Sequence, residues 1–133
     1  MFKNVYIIDD DEVSVFLTEA MLMTENFAHN YETFLNPQDA LQHLLQALGQ
    51  GKEDKTPDII FLDLNMPFMS GWDFLNALAP YEAQLQECCS LYLLSSSMDV
   101  QEVQRARKYP LLSGFLQKPL EEATIRDLLK QTS

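Results

Sequence analysis

Short runs of consecutive apolar residues alternate along the chain with longer stretches in which apolar residues recur every three or four positions. Three of the short runs hold four residues each and predict buried β-strands at positions 5–8, 59–62 and 91–94. Less apolar segments at 29–34 and 114–116 predict two further strands. The chain therefore contains five predicted strands.

The longer stretches have the spacing of amphipathic helices. In the first, residues 13–25, the apolar positions are Val13, Phe16, Leu17, Ala20 and Met21. Four later helices are marked in the same way, by Ala40, Leu41, Leu44, Leu45 and Leu48, by Trp72, Leu75 and Leu78, by Val100, Val103 and Ala106, and by Leu120, Ile125, Leu128 and Leu129. Pro37 and Gly49 are the predicted ends of the second helix, and Asp99 is the predicted N-cap of the fourth.

A strand followed by a helix, repeated five times, predicts the fold class. Continuous apolar strands are typical of a parallel sheet that is covered by helices on both faces. We therefore predict an α/β fold with a doubly wound, five-stranded parallel sheet, in one domain over residues 1–133. Ligands of such folds bind beyond the carboxyl ends of the strands.

The residues at those strand ends carry reactive groups. They are Asp9, Asp10 and Asp11 after the first strand, Asp63 after the third, Ser95 after the fourth and Lys118 after the fifth. Clustered carboxylates raise one another's pKa unless a cation lies between them, and Mg²⁺ prefers oxygen ligands. A lysine and a hydroxyl beside them can hold a phosphoryl group. The set predicts Mg²⁺-dependent phosphoryl transfer onto a carboxylate.

Five other polar or reactive residues lie outside this set, and the role of two of them, the cysteines, stays open. Asp11 suits the N-cap of the first helix and needs no metal. His29 and His43 have no neighbours at metal-ligand spacing and are predicted to lie at the surface. Cys88 and Cys89 are adjacent, with Cα atoms about 3.8 Å apart, which is shorter than the roughly 4.4–6.8 Å of a disulfide.

The net charge limits the classes of partner that the chain is expected to bind. The chain has 20 acidic and 9 basic residues, a net charge of −11 at pH 7. This charge argues against direct binding to nucleic acid or to an anionic membrane surface. Because acidic residues interrupt the N-terminal apolar run immediately, we expect neither a signal peptide nor a membrane anchor, and a cytoplasmic protein.

Several short motifs occur together, in order, at the predicted strand ends. They are Ile7-Ile8-Asp9-Asp10, Phe61-Leu62-Asp63-Leu64-Asn65-Met66-Pro67, Met69-Ser70-Gly71-Trp72, Leu94-Ser95-Ser96 and Lys118-Pro119. With these motifs the chain resembles a CheY-like response regulator receiver domain over its full length. The resemblance implies a (βα)5 flavodoxin-like fold and a place in two-component signal transduction.

The resemblance implies a role for each residue of the acidic set. Asp63 would accept the phosphoryl group from a sensor histidine kinase or a histidine phosphotransfer protein. Asp10 would bind Mg²⁺ directly, Asp9 mainly through a water molecule, and Asn65 through its backbone carbonyl.

The resemblance also implies a conformational switch that follows phosphorylation. Lys118 would pair with the phosphoryl oxygens, and the Lys118-Pro119 bond would be cis. The hydroxyl of Ser95 would move to the phosphoryl group, and the ring of Phe115 would follow it inward. Many members have Thr at the position of Ser95, and Tyr is frequent at that of Phe115.

Output is expected through a protein partner, because the chain leaves room for one helix after Lys118 and none for an effector domain. The fourth helix, fifth strand and fifth helix often carry such contacts in the family. Arg105, Arg107 and Lys108 on the fourth helix are either part of that surface or an ordinary solvated face. We do not expect a turnover enzyme.

Two alternative functions stay open. A degenerate receiver would act as an interaction module that never takes a phosphoryl group. An Mg²⁺-dependent aspartyl-phosphate phosphatase of the haloacid dehalogenase type would need a second acid two residues after its nucleophile. Asn65 stands at that position, which argues against the enzyme.

Overall fold

Five parallel strands form one sheet in the order β2-β1-β3-β4-β5, in a computed structural model that describes residues 2–49, 56–97 and 99–131. The strands are β1 (Phe2–Ile8), β2 (Ala28–Phe34), β3 (Ile59–Asp63), β4 (Ser90–Ser95) and β5 (Leu112–Gln117). This architecture confirms the predicted α/β class. The order of the strands reverses between β1 and β3, so their carboxyl ends mark the place where such sheets bind ligands.

Helices cover both faces of the sheet. They are α1 (Glu12–Thr24), α2 (Pro37–Gly49), α3 (Gly71–Ala77), α4 (Glu82–Cys88), α5 (Val100–Ala106) and α6 (Glu122–Lys130). Side chains of α1 and α6 share a core with Val5 and Ile7 on one face. Side chains of α2 to α5 pack with Tyr6 and Ile8 on the other. Successive residues of a strand point to opposite faces, so a continuous apolar run fills both cores.

The third predicted helix, marked by Trp72, Leu75 and Leu78, is α3, and it is followed by a helix that was not predicted, α4. A 3₁₀ turn at Ala79–Tyr81 separates α3 from α4. Pro80 lies in this turn; it has no backbone N–H to donate, and its ring clashes with the carbonyl of the fourth preceding residue. The sequence therefore predicted too few helices, because α4 was missed.

The apolar stripe that predicted α1 does not pack on the sheet. Val13, Phe16 and Leu17 are 65%, 68% and 56% exposed, and Ala20 and Met21 are exposed as well. The side of α1 that faces the core instead carries three other residues, Val15, Thr18 and Leu22. The helix itself is confirmed. We refer to Val13, Phe16, Leu17, Ala20 and Met21 as the α1 apolar face.

The predicted caps are present. The carboxylate of Asp11 accepts hydrogen bonds from the backbone N–H groups of Val13 and Ser14 at the start of α1. The carboxylate of Asp99 accepts one from Gln101 at the start of α5. Within the described parts of the chain, no helix is both long and apolar enough to span a membrane.

Candidate functional site

Three carboxylates meet at the carboxyl edge of the sheet, beyond β1 and β3. Asp9 and Asp63 are buried, whereas Asp10 is exposed. One oxygen atom from each of the three lies within 4.8 Å of the others. The parallel register causes this meeting, because Ile8 lies beside Leu62 and so places the residue after each at the same edge. The predicted acidic cluster of these three residues is therefore present.

The ammonium group of Lys118 bridges two of the carboxylates. Its Nζ atom lies 2.7 Å from Oδ2 of Asp9 and 3.0 Å from Oδ1 of Asp63. It also donates a hydrogen bond of 3.2 Å to Oγ of Ser14, in the first turn of α1. An ammonium has three N–H donors, and the three acceptors use all of them. Lys118, which follows β5 in the sequence, thus joins β1, β3 and α1.

Burial and charge change the acidity of these groups. Burial, together with the neighbouring charge of Asp9, raises the pKa of Asp63 to about 6, even though Lys118 acts in the opposite direction. Burial by itself lowers the pKa of Lys118, but the hydrogen bonds to the two carboxylates outweigh this and the pKa is raised. Lys118 therefore stays charged at neutral pH, and one lysine does not fully compensate the carboxylates.

The donor set fits a small divalent cation. All of its ligand atoms are carboxylate oxygens, which Mg²⁺ prefers, and they lie close enough to share one ion. Burial and, after it, the charge of Asp9 raise the pKa of Asp63, and a cation beside the carboxylate would favour its ionised form. Both oxygens of Asp9 already accept hydrogen bonds, Oδ1 from the N–H of Asp11 at 3.0 Å and Oδ2 from Lys118. The Asp10 carboxylate is the one open to solvent.

A glycine determines the path of the loop after Asp63. A Cβ atom on Gly71 would lie 3.0 Å from the Cα of Leu64 and 3.0 Å from Leu93, which is too close for most side chains. The N–H of Gly71 donates to the carbonyl of Leu64 at 2.9 Å, so the start of α3 is tied to the residue after Asp63. Asn65 lies exposed in this loop.

The predicted switch residues lie next to the acidic cluster along the sheet. Ser95 is fully buried, and its hydroxyl donates to the carbonyl of Ser97 at 2.9 Å. Phe115 is half-buried and packs against the core on the α2 to α5 side. The backbone N–H of Lys118 donates to the carbonyl of Ser95 at 2.8 Å, and the Lys118-Pro119 bond is cis as expected.

The residues predicted to lie outside the site do so. His29 is exposed, and the ring of His43 makes an edge contact with Phe34, at 5.4 Å between centroids. Cys88 and Cys89 form no disulfide. Burial raises the pKa of the Cys89 thiol, so that it stays protonated.

Three features near the site were missed from the sequence. They are the contact of Ser14 with Lys118, the exposure of the α1 apolar face, and the exposure of Phe68, which is 93% accessible in the loop after Asp63. A signal existed for the second: α1 carries apolar residues on two sides, since Val15 and Leu22 do not belong to the stripe. No pattern along the chain indicates the first.

Comparison with known proteins agrees with this geometry. A family model of the response regulator receiver domain matches residues 5–130. A two-component response regulator from Cytophaga hutchinsonii superposes with a TM-score of 0.86 at 23% identity, over 98% of this chain and 96% of that one. A response regulator receiver protein from Dyadobacter fermentans gives 0.82 at 28% identity, over 97% and 96%.

A third similar structure carries a metal. It is the receiver domain of the histidine kinase CKI1 from Arabidopsis thaliana, complexed with Mg²⁺, with a TM-score of 0.77 at 22% identity over 98% of this chain and 92% of that one. No curated protein matches the sequence. The family match over nearly the whole chain, together with the sheet order and the acidic edge, leads to one conclusion. The chain belongs to the response regulator receiver domain family of two-component signalling.

Proposed function

We propose that this receiver domain accepts a phosphoryl group on Asp63 from a phosphohistidine of a sensor histidine kinase or a histidine phosphotransfer protein. The observation that carries the proposal is the position of Lys118 Nζ, within 3.0 Å of Asp63 and 2.7 Å of Asp9, at an edge that gathers three carboxylates. A receiver that has lost this function has no need of a partly buried, charged lysine between two buried acids, because charges removed from water are costly to maintain.

The chemistry is a displacement at phosphorus. One carboxylate oxygen of Asp63 forms the new O–P bond while the P–N bond to the donor imidazole breaks, and the imidazole nitrogen keeps the electron pair. The ammonium of Lys118 exchanges its contact with the Asp63 carboxylate for one with a phosphoryl oxygen. It keeps its contact with Asp9 meanwhile, so its position is maintained through the step. Water later hydrolyses the acyl phosphate and restores the carboxylate.

We assign the metal ligands in the same proposal. Asp10, Asp63 and the backbone carbonyl of Asn65 would hold Mg²⁺ directly, and Asp9 mainly through a water molecule. The hydrogen bonds from Asp11 and Lys118 to the two oxygens of Asp9 support this division. The bound cation supplies positive charge for the phosphoryl oxygens. The Mg²⁺ complex of the similar plant receiver domain supports the choice of Mg²⁺ as the cation.

Switching would start from Ser95. Its hydroxyl would leave the carbonyl of Ser97 and bond to the phosphoryl group, and Phe115 would move inward behind it. The added charge and acceptor oxygens give the two conformations different free energies. A partner that binds β5 and the helices beside it, α5 and α6, would read the change.

The surroundings of the site favour a protein as the phosphodonor. Four residues of the α1 apolar face, all except Phe16, line a cavity of about 610 Å³ together with Lys118 and Leu120. Phe68 lies on another cavity of about 470 Å³ that reaches Asp10. Exposed apolar patches of this kind mark interaction surfaces, and their position around Asp63 suits a partner that covers the site.

Intact-mass analysis after incubation with Mg²⁺ and a small phosphodonor tests the proposal. We expect the parent to gain one phosphoryl group, and expect no gain with EDTA or in Asp63→Asn. Calorimetric titration with Mg²⁺ shows separately that the metal binds. A parent that binds Mg²⁺ and gains no phosphoryl group would overturn the proposal in favour of an interaction module that keeps the receiver fold.

A further inference from the structure

We propose that Ser14 is a positioning residue for phosphoryl transfer, acting through the ammonium of Lys118. The inference rests on the function proposed above and adds a residue to it. Ser14 belongs to none of the motifs at the strand ends, and it lies 104 positions before Lys118 in the chain. The two side chains meet at the carboxyl edge of the sheet, because α1 begins there after β1 and Lys118 lies there after β5.

The three acceptors of the Lys118 ammonium have different roles. Oδ1 of Asp63 belongs to the carboxylate that becomes phosphorylated, so this contact must be exchanged during the reaction. Oδ2 of Asp9 and Oγ of Ser14 are not consumed. With two contacts that persist, two of the three N–H groups stay bonded, and the tetrahedral geometry of the nitrogen sets the direction of the third. With one such contact, the ammonium could turn about that hydrogen bond. Ser14 therefore directs the third N–H of Lys118 at the reacting group.

The first turn of α1 holds Ser14 in place. Asp11 accepts a hydrogen bond from the backbone N–H of Ser14 at 3.5 Å, and its own N–H donates to Asp9 at 3.0 Å. The same turn thus connects to Asp9 through its backbone and to Lys118 through the serine hydroxyl. The turn and the lysine form one hydrogen-bonded unit around the acidic cluster.

Ser14 and Lys118 both line the 610 Å³ cavity, whose walls there include Val13, Leu17 and Leu120. These side chains are apolar. Asp11, Thr18 and Ser96 line the same cavity, but Ser14 is the cavity residue that accepts a hydrogen bond from the ammonium of Lys118. Without the serine hydroxyl, the N–H that it accepts would turn to solvent in the cavity, and the ammonium would lose its fixed orientation.

A matched pair of variants isolates the hydroxyl. Ser14→Thr keeps the hydroxyl and adds a methyl group, whereas Ser14→Val has nearly the size of the Thr variant but carries a methyl group in place of the hydroxyl. We expect Ser14→Val to lower the rate of phosphorylation by a small phosphodonor about three- to tenfold, which corresponds to one lost hydrogen bond. We expect Ser14→Thr to stay within about twofold of the parent. Thr24→Val is the control, because its hydroxyl lines the same cavity but bonds to the carbonyl of Ala20.

A second measurement does not depend on phosphorylation. In ¹⁵N-lysine-labelled, metal-free protein, the Nζ resonance of Lys118, assigned with Lys118→Arg, reports whether the ammonium protons are held in hydrogen bonds. We expect the signal to persist in the parent and in Ser14→Thr and to broaden in Ser14→Val. A change in folding alone would also move the melting temperature and the backbone spectrum.

The outcomes separate this inference from the proposed function. A parent that takes no phosphoryl group overturns the proposed function, and the role of Ser14 with it. A parent that is phosphorylated at the same rate as Ser14→Val overturns the role of Ser14 alone. Equal slowing in the Thr and Val variants does the same, because it would show that the hydroxyl is not the group that matters.

Discussion

The guanidinium carbon of Arg105 lies 4.5 Å from the centroid of the Trp72 ring. Tyr109 stacks on the same ring at 5.4 Å, and its hydroxyl donates to Oδ1 of Asn76 at 3.1 Å. Because Trp72 follows Gly71 at the start of α3, this cluster links the loop after Asp63 to α5. Arg105 is therefore more than one charge on a solvated face, and the surface proposed for output contacts α3, the helix that follows the loop after Asp63.

Replacing Arg105 tests that contact. We expect Arg105→Gln to lower the melting temperature by roughly 2–5 °C, since a cation–π contact at the surface contributes about 0.5–1 kcal/mol. The emission of Trp72, the one tryptophan of the chain, should shift as well. Arg107→Gln removes the same charge two residues later, at the C-cap of α5, and should change neither the melting temperature nor the emission. Equal effects of the two substitutions would contradict the contact.

Removing the charge of Asp63 should stabilise the metal-free protein. The pKa of Asp63 is raised to about 6 from 3.8, so the folded state binds the proton more tightly than the unfolded state. Its contribution to stability is complete below about pH 4 and is lost as the pH rises through about 6. At pH 7.5, Asp63→Asn should therefore raise the melting temperature, by roughly 3–6 °C for about 1 kcal/mol.

The pH dependence distinguishes this effect from a general loss of negative charge. Thermal unfolding in EDTA should show the gap between Asp63→Asn and the parent closing as the pH falls from 7.5 to 4. Asp127→Asn, on the exposed side of α6, changes the net charge equally and should show a small gap that does not depend on pH in this way. A parent that is as stable as Asp63→Asn at every pH would disprove the prediction.

Magnesium should stabilise the parent through Asp10. A ligand that binds only the folded state raises its stability with concentration, so the melting temperature should rise as Mg²⁺ is added. We expect Asp10→Asn to melt near the parent in EDTA, because Asp10 is exposed, but to lose most of the shift. Asp11→Asn is the matched control: asparagine still caps α1, and the shift should remain. If Asp11→Asn lost the Mg²⁺-induced rise in melting temperature and Asp10→Asn kept it, Asp10 would not be the metal ligand.

The α1 apolar face should matter for transfer from a protein and not from a small molecule. Phe16 is 68% exposed, so Phe16→Ser should leave the melting temperature and the reaction with a small phosphodonor nearly unchanged. Transfer from a purified phosphotransfer protein that phosphorylates the parent should fall about tenfold or more. Val100→Ser, at an equally exposed apolar position on α5, should leave the transfer unaffected. Similar losses in both variants would argue against docking on α1.

Much of the fold could be predicted because its signals are local. A continuous apolar run predicts a buried strand wherever the strand lies, and strands connected by helices predict a parallel sheet. The parallel arrangement then requires that strand ends share one edge, so Asp63, Ser95 and Lys118 could be placed together without coordinates. The short helix α4 was missed, because among its seven residues Leu85 is the one that is buried, and so few apolar positions show no helical spacing.

The remaining features depend on packing. Spacing alone cannot show which of two apolar sides of α1 faces the sheet, since the neighbours of a helix determine which side is buried. The contact between Ser14 and Lys118 joins residues 104 positions apart, and that between Asp9 and Lys118 joins residues 109 apart. The raised pKa of Asp63 requires burial beside Asp9. The sequence alone determined which chemical groups meet at the edge of the sheet, because the alternation of strands and helices implies parallel strands, whose carboxyl ends share one edge. Tertiary structure decided their distances, burial and charge, because these depend on side chains that the chain brings together only when it folds.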